Sequence, residues 1–217
     1  MDTSSNVKGQ TSRVKCRSGF TLLELLISMA IFAILGTFTV MSFRSAGQLN
    51  NLRQAANELV SNLRLAQSMS QSGATVNSCD DGGEKYKLCP DATCSICSEK
   101  APKGGYGISG GGQFGAWSSL PTSRYMIFAE LLGDGYDLND DPTIFTVDLP
   151  AQTSISMVDS SVMGLHFLKD GHAYDFFGNI SNQYFCISHS NFPNVYRKVT
   201  LIGATGQIQE EAVAACP

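Results

Sequence analysis

Ser18-Gly19-Phe20-Thr21-Leu22-Leu23-Glu24-Leu25-Leu26 is the stretch on which the fold of this 217-residue chain turns. Upstream of it lie four basic residues, Lys8, Arg13, Lys15 and Arg17, against the single acid Asp2. Downstream, residues 25–41 carry no charge, and between residues 20 and 43 the only one is Glu24. As a helix, such a run is long enough for a bilayer core. By the positive-inside tendency the basic end stays in the cytoplasm and everything after residue 43 is exported. An ordinary secretory signal puts its apolar segment before the cleavage site; here the order is reversed.

That reversed order, with the string GFTLLELL, closely resembles the class III signal of type IV pilins and type II secretion pseudopilins. The resemblance implies a prepilin peptidase that cuts between Gly19 and Phe20 and methylates the new amine of Phe20. It also makes Glu24 the fifth residue of the mature chain. The physical argument for Glu24 is independent of the family. A carboxylate one turn into a membrane helix is costly and such residues have partners. The new Phe20 amine is a cation four residues away, in its own chain or a neighbour's, so neutralisation between subunits would favour axial register in a filament. The plainer alternative is an uncleaved anchor with Glu24 at the headgroups, which leaves Gly-Phe-Thr-Leu-Leu-Glu at a basic/apolar boundary unexplained.

Because no proline occurs before Pro90, nothing interrupts a long helix. Leu49, Leu52, Ala56, Leu59, Leu63, Ala66 and Ser70 recur at spacings of three and four, with Arg53, Asn57, Glu58, Asn62 and Arg64 between them. This predicts a helix over 20–71, about 75–80 Å long, ending near Gly73, with its Leu/Ala stripe laid on a sheet. Gly36 and Gly47 are points where it could bend. Residues 73–124, rich in Gly, Ser and Pro, read as irregular. Short β-rich runs follow at 125–132, 143–149, 155–158, 164–168, 184–188 and 196–202. One long helix followed by strands predicts an α+β fold, its N-terminal helix packed on an antiparallel β-sheet head. That matches the pilin lollipop. Ala55-Ala56-Asn57-Glu58-Leu59, Leu63-Arg64-Leu65-Ala66-Gln67, Tyr106-Gly107-Ile108 and the closing Tyr196 to Leu201 with Gly206-Gln207-Ile208 loosely resemble the GspH/FimT group of minor (pseudo)pilins. The Cys-rich insert departs from that group. The expected division is a leader at 1–19, a transmembrane and filament-core helix at 20–43, an amphipathic helix at 44–72 and a disulfide-stabilised head at 73–217.

The net charge is −4 overall and +3 in residues 1–19, so residues 20–217 carry −7. An acidic exported part disfavours broad nucleic-acid binding without excluding a local basic patch. Of seven cysteines, Cys16 belongs to the leader, and the other six are Cys79, Cys89, Cys94, Cys97, Cys186 and Cys216. An even set on the exported side reads as three disulfides, with Cys186–Cys216 the favoured pair and the connectivity of the other four open. Those four also have spacing that suits zinc, the lesser reading in an exported domain.

Asp134, Asp137, Asn139 and Asp141 have the oxygen-ligand spacing of a calcium loop but lack the EF-hand glycine and distal glutamate. A solvated acidic turn is the alternative, and no other cofactor is expected. Gly105-x-Gly107-x-x-Gly110 satisfies a dinucleotide pattern. Gly111-Gly112-Gln113-Phe114 after it is no helix, so a flexible loop or edge strand is expected instead. His166, His172 and His189 accompany no nucleophile motif, and no catalytic constellation stands out, so no enzyme is expected. The expected function is a structural, assembly subunit of a type IV pilus or type II secretion pseudopilus, held in the inner membrane with a periplasmic head until it joins other pilins. The rival is a tip subunit whose head binds an external ligand in adhesion or DNA uptake.

Overall fold

The computed structural model describes residues 21–80, 86–90, 96–110, 121–133, 141–157, 164–175, 178–180 and 182–216, with the backbone alone at 38, 40–42 and 44. It opens with α1 (Leu22–Ser72) and continues with β1 (Val76–Asp80), β2 (Tyr86–Leu88), β3 (Ser98–Lys100), β4 (Gly105–Gly110), β5 (Arg124–Glu130) and β6 (Thr143–Asp148). The remaining strands are β7 (Thr153–Met157), β8 (Leu165–Phe167), β9 (Ala173–Asp175), β10 (Gln183–His189), β11 (Phe192–Ile202) and β12 (Gln207–Val213). The fold is α+β, and every strand pairing among the described residues is antiparallel. Two compact units divide the chain, Met1–Ser45 and Ala46–Pro217.

Both ends of α1 are written in local chemistry. Thr21 caps the start: its Oγ1 accepts the Glu24 amide at 3.3 Å. At the end, Gly73 takes φ 66°, the Ala74 amide donates to Met69 O at 3.0 Å and the Gly73 amide to Ser70 O at 3.2 Å. That is a Schellman motif, which needs a residue able to adopt the left-handed region. Within the second unit, Leu52, Ala55, Ala56, Leu59, Leu63, Ala66 and Ser70 form one buried stripe. Its apolar members share a core with Tyr106, Ile108, Ile127, Phe167, Phe185 and Leu201.

Among the described residues the head holds three sheets, where the sequence alone predicts one: β6-β5-β4-β8-β9, β12-β11-β10-β7 and the small β2-β1-β3. Polar side chains of α1 tie the two larger ones to it. Gln67 Nε2 donates to Gly171 O and Gly206 O, each at 3.1 Å, in the β8–β9 and β11–β12 turns. Ser70 Oγ accepts the Tyr106 amide at 2.8 Å, and Asn62 Nδ2 donates to the Tyr125 hydroxyl at 2.7 Å. Burial is the main reason the Tyr125 hydroxyl titrates far above its ordinary range.

Residues 73–124 depart from the irregular reading, since they hold β1 to β4. Gly105–Gly110 is neither a flexible loop nor an edge: β4 lies between β5 and β8 and is buried throughout, while Gly111 and Gly112 lie outside the described residues. A Cβ on Gly107 would come 2.3 Å from Leu165 O and 2.4 Å from Phe128 Cζ. The missing side chain is what admits the Phe128 ring, so the glycine pattern records close packing rather than phosphate binding. Two further strands escape the pattern rules. β9 is only three residues long, and β12, an exposed edge with the sequence QIQEEAV, shows no apolar alternation.

Cys186 of β10 is bonded to Cys216, which pins the tail after β12 across a sequence separation of 30. Closing such a loop stabilises the fold by about 3.5 kcal/mol in the chain-entropy account. Cys89 is bonded to Cys97, and Cys79 of β1 is disulfide-bonded to a partner outside the described residues.

Candidate assembly site on the N-terminal helix

Gly19 and Phe20 lie outside the described residues; Glu24 sits in the first turn of α1 and is exposed. Thr21 and Glu24 stand at N-cap and N3, the positions of a Thr-x-x-Glu capping box. The sequence carried that signal, and it gives Thr21 a role that the charge argument alone does not.

The residues beyond Glu24 are unlike those of the second half. Between Leu22 and Leu35 ten large apolar side chains are each more than half exposed, on all sides of the helix. Hydroxyls in this stretch bond back to their own helix: Ser28 to Glu24 O at 2.7 Å, Thr37 to Ile34 O at 2.7 Å and Thr39 to Leu35 O at 2.9 Å. Such back-bonding satisfies a hydroxyl without water or another residue. Among the described residues no helix is long and apolar enough to cross a membrane. The uncharged run 25–41 read from the sequence includes residues 38, 40 and 41, whose side chains are not described.

The other sequence candidates fall elsewhere. Asp134, Asp137 and Asn139 lie outside the described residues, as does Cys94. Asp141 is buried, and its Oδ1 accepts the Leu131 amide at 3.0 Å, while Glu130 Oε1 accepts the Gly133 amide at 2.5 Å. The two carboxylates thus brace the chain that leaves β5.

The histidines do not converge. His189 is buried, with Nδ1 accepting the Asn191 amide at 3.2 Å. His172 lies 3.5 Å from the Asp170 carboxylate. Partial burial pushes the Asp170 carboxyl up, but the hydrogen bonds from the Tyr174 hydroxyl and the His172 amide outweigh it and hold the group below its usual range. His166 is buried on β8 and stacks on Tyr174 at 5.9 Å. Burial lowers the His166 pKa from 6.5, against an opposing pull from Asp175. The folded chain therefore refuses a proton that the unfolded chain accepts. Stability is full above pH 6.5 and falls as the pH drops below it. His166→Gln is expected to shrink the difference between urea midpoints measured above pH 7 and at about pH 5. An unchanged acid slope would place the acid sensitivity elsewhere.

A helix with a bare, apolar first half and a head built on its second half is an arrangement similar to that of type IV pilin-like proteins. The prokaryotic N-terminal methylation motif matches residues 14–40. No curated protein sequence matches the chain. Two solved structures are similar, both of the type IV minor pilin FimU of Pseudomonas aeruginosa, in different crystal forms. One is 17% identical, covers 76% of this chain and 97% of that one, and has a TM-score of 0.44. The other is 17% identical, covers 77% and 93%, and has a TM-score of 0.45. A likeness of that degree carries no weight by itself.

Proposed function

We propose that the chain is a structural subunit, a minor pilin of a type IV pilus or a type II secretion pseudopilin, and not a catalyst. The observation that carries this reading is the pairing of the methylation motif with ten bare apolar side chains on one helix. Apolar surface exposed all round a helix needs lipid or other apolar helices against it. Before assembly the cover is the inner membrane, with the N-terminus cytoplasmic and the head periplasmic. Afterwards the cover is the helices of neighbouring pilins. Prepilin peptidase is the processing partner. With Cys16 removed in the leader, the six remaining cysteines form three disulfides, so Cys79 pairs with Cys94.

Processing tests the proposal first. Mass spectrometry of the chain extracted from peptidase-positive membranes should find a mature N-terminus at N-methyl-Phe20. In peptidase-deficient cells the leader should remain. An intact leader in both would end the pilin reading, whatever the fold of the head.

A further inference from the structure

The Cys-rich insert holds a feature that filament assembly does not require. Cys79 comes from the middle strand of the three-stranded sheet, Cys89 from the chain leaving β2 and Cys97 from the chain entering β3. Their three sulfurs all lie within 4.8 Å of one another. Two disulfides therefore abut, one of them Cys89–Cys97 and the other involving Cys79. Three thiolates around a tetrahedral zinc stand about 3.8 Å apart, given zinc–sulfur bonds of about 2.3 Å. The Cys89 and Cys97 sulfurs, bonded to each other, would part to that spacing on reduction, while the Cys79 sulfur lies within 4.8 Å of both. β1, which carries Cys79, pairs with β2 ahead of Cys89 and with β3 after Cys97, so the cluster has a framework besides its cross-links. Burial is graded, with Cys79 buried, Cys89 half-buried and Cys97 exposed, so a reductant or an ion can approach from the Cys97 side.

We propose that this cluster is a redox-gated zinc site: disulfide-bonded when oxidised, and binding Zn²⁺ through Cys79, Cys89 and Cys97 when reduced. A dithiol reductant supplies two electrons and two protons to each disulfide, and its own two sulfurs close into a disulfide. Zn²⁺ then displaces one proton from each of the three thiols. The fourth position of the tetrahedron is left to another donor. A small-molecule disulfide reverses the step by thiol–disulfide exchange: it takes two electrons per bond, leaves as two thiols, and expels the ion as the protein disulfides re-form. The small sheet would thus report the redox state of its compartment while the core of the head, built from α1 and the two large sheets, is unchanged.

The test uses the full chain in detergent micelles, carrying Cys186→Ser and Cys216→Ser so that the other cysteine pair cannot contribute. After phosphine reduction it is titrated with Zn²⁺ against a chromophoric chelator. One zinc per chain is expected, with none bound by the oxidised form. Adding Cys79→Ser or Cys97→Ser should weaken binding at least about 10-fold. Circular dichroism confirms that each variant retains its helix. Should a serine variant misfold, Co²⁺ added to the reduced parent gives the independent readout, a thiolate-to-cobalt charge-transfer band that disappears on oxidation. No zinc bound after reduction, affinity retained in both serine variants, or cobalt without that band would each overturn the site.

Discussion

Glu24→Leu is expected to reach the membrane at wild-type level, lose its leader normally and yet enter filaments at least 10-fold less than the parent. The proposed cut lies upstream of Glu24, so processing should be untouched. The anchor itself gains, because a carboxylate in the hydrocarbon region costs up to several kcal/mol, depending on depth. What is lost is the one charge between residues 20 and 43, the proposed partner for the amine of Phe20. The capping geometry supplies a rival cause that a second substitution separates. Thr21 Oγ1 accepts the backbone amide of residue 24, a bond that any side chain there preserves. A capping-box side chain adds to this only by its return bond, and caps as a whole contribute about 1 kcal/mol. Glu24→Gln keeps the length and the polar end and removes the charge. If neutralisation drives docking, Gln fails as badly as Leu, while Glu24→Asp, shorter but charged, is milder. The variants are compared by their share in sheared filaments at equal membrane level. Recovery by Gln would assign Glu24 to the cap, and wild-type entry of Leu would remove any role for it in assembly.

Gly107→Val is expected to cost the head more than about 3 kcal/mol, enough to deplete the folded protein. The new Cβ would sit 2.3 Å from Leu165 O, a backbone atom of the paired strand β8, and 2.4 Å from the ring of the fully buried Phe128. Removing the ring does not rescue the variant, since the carbonyl cannot withdraw without breaking the ladder. Gly36→Ala is the control. Nothing lies within 4 Å of the added methyl, and alanine is the better helix former by about 1 kcal/mol, so the helix should gain. Urea unfolding of the detergent-solubilised chain reads both. A wild-type midpoint for Gly107→Val would mean that β4 is not the packed central strand described.

Local features could be read without coordinates because their causes are local. The absence of proline, the Leu/Ala stripe and Gly73 defined a helix over 20–71, and the structure runs it over Leu22–Ser72. The basic residues before the Gly-Phe junction, the junction itself and Glu24 marked the stretch in which the methylation motif matches residues 14–40. Several β-rich runs were legible because alternation at positions such as Val199 and Leu201 reflects one buried face, and both are fully buried. Acidic and cysteine-rich spacings were legible only as sets of options.

Tertiary structure decided the rest, by bringing together residues that spacing cannot relate. Gly107 looks like a loop residue until Phe128, on the neighbouring strand, needs its missing side chain. β12 has no apolar pattern because it is an exposed edge, ordered by its ladder with β11 and by the Cys186–Cys216 bond beyond it. Asp141 has the spacing of a calcium ligand, and nothing in that spacing tells that its Oδ1 accepts the Leu131 amide. Gln67 shows nothing in the sequence of its bonds to two turns of different sheets, 104 and 139 residues away. A helix limit or a membrane signal is determined by residues a few positions apart. A central strand, a brace or a staple is determined by whatever the completed fold places against it.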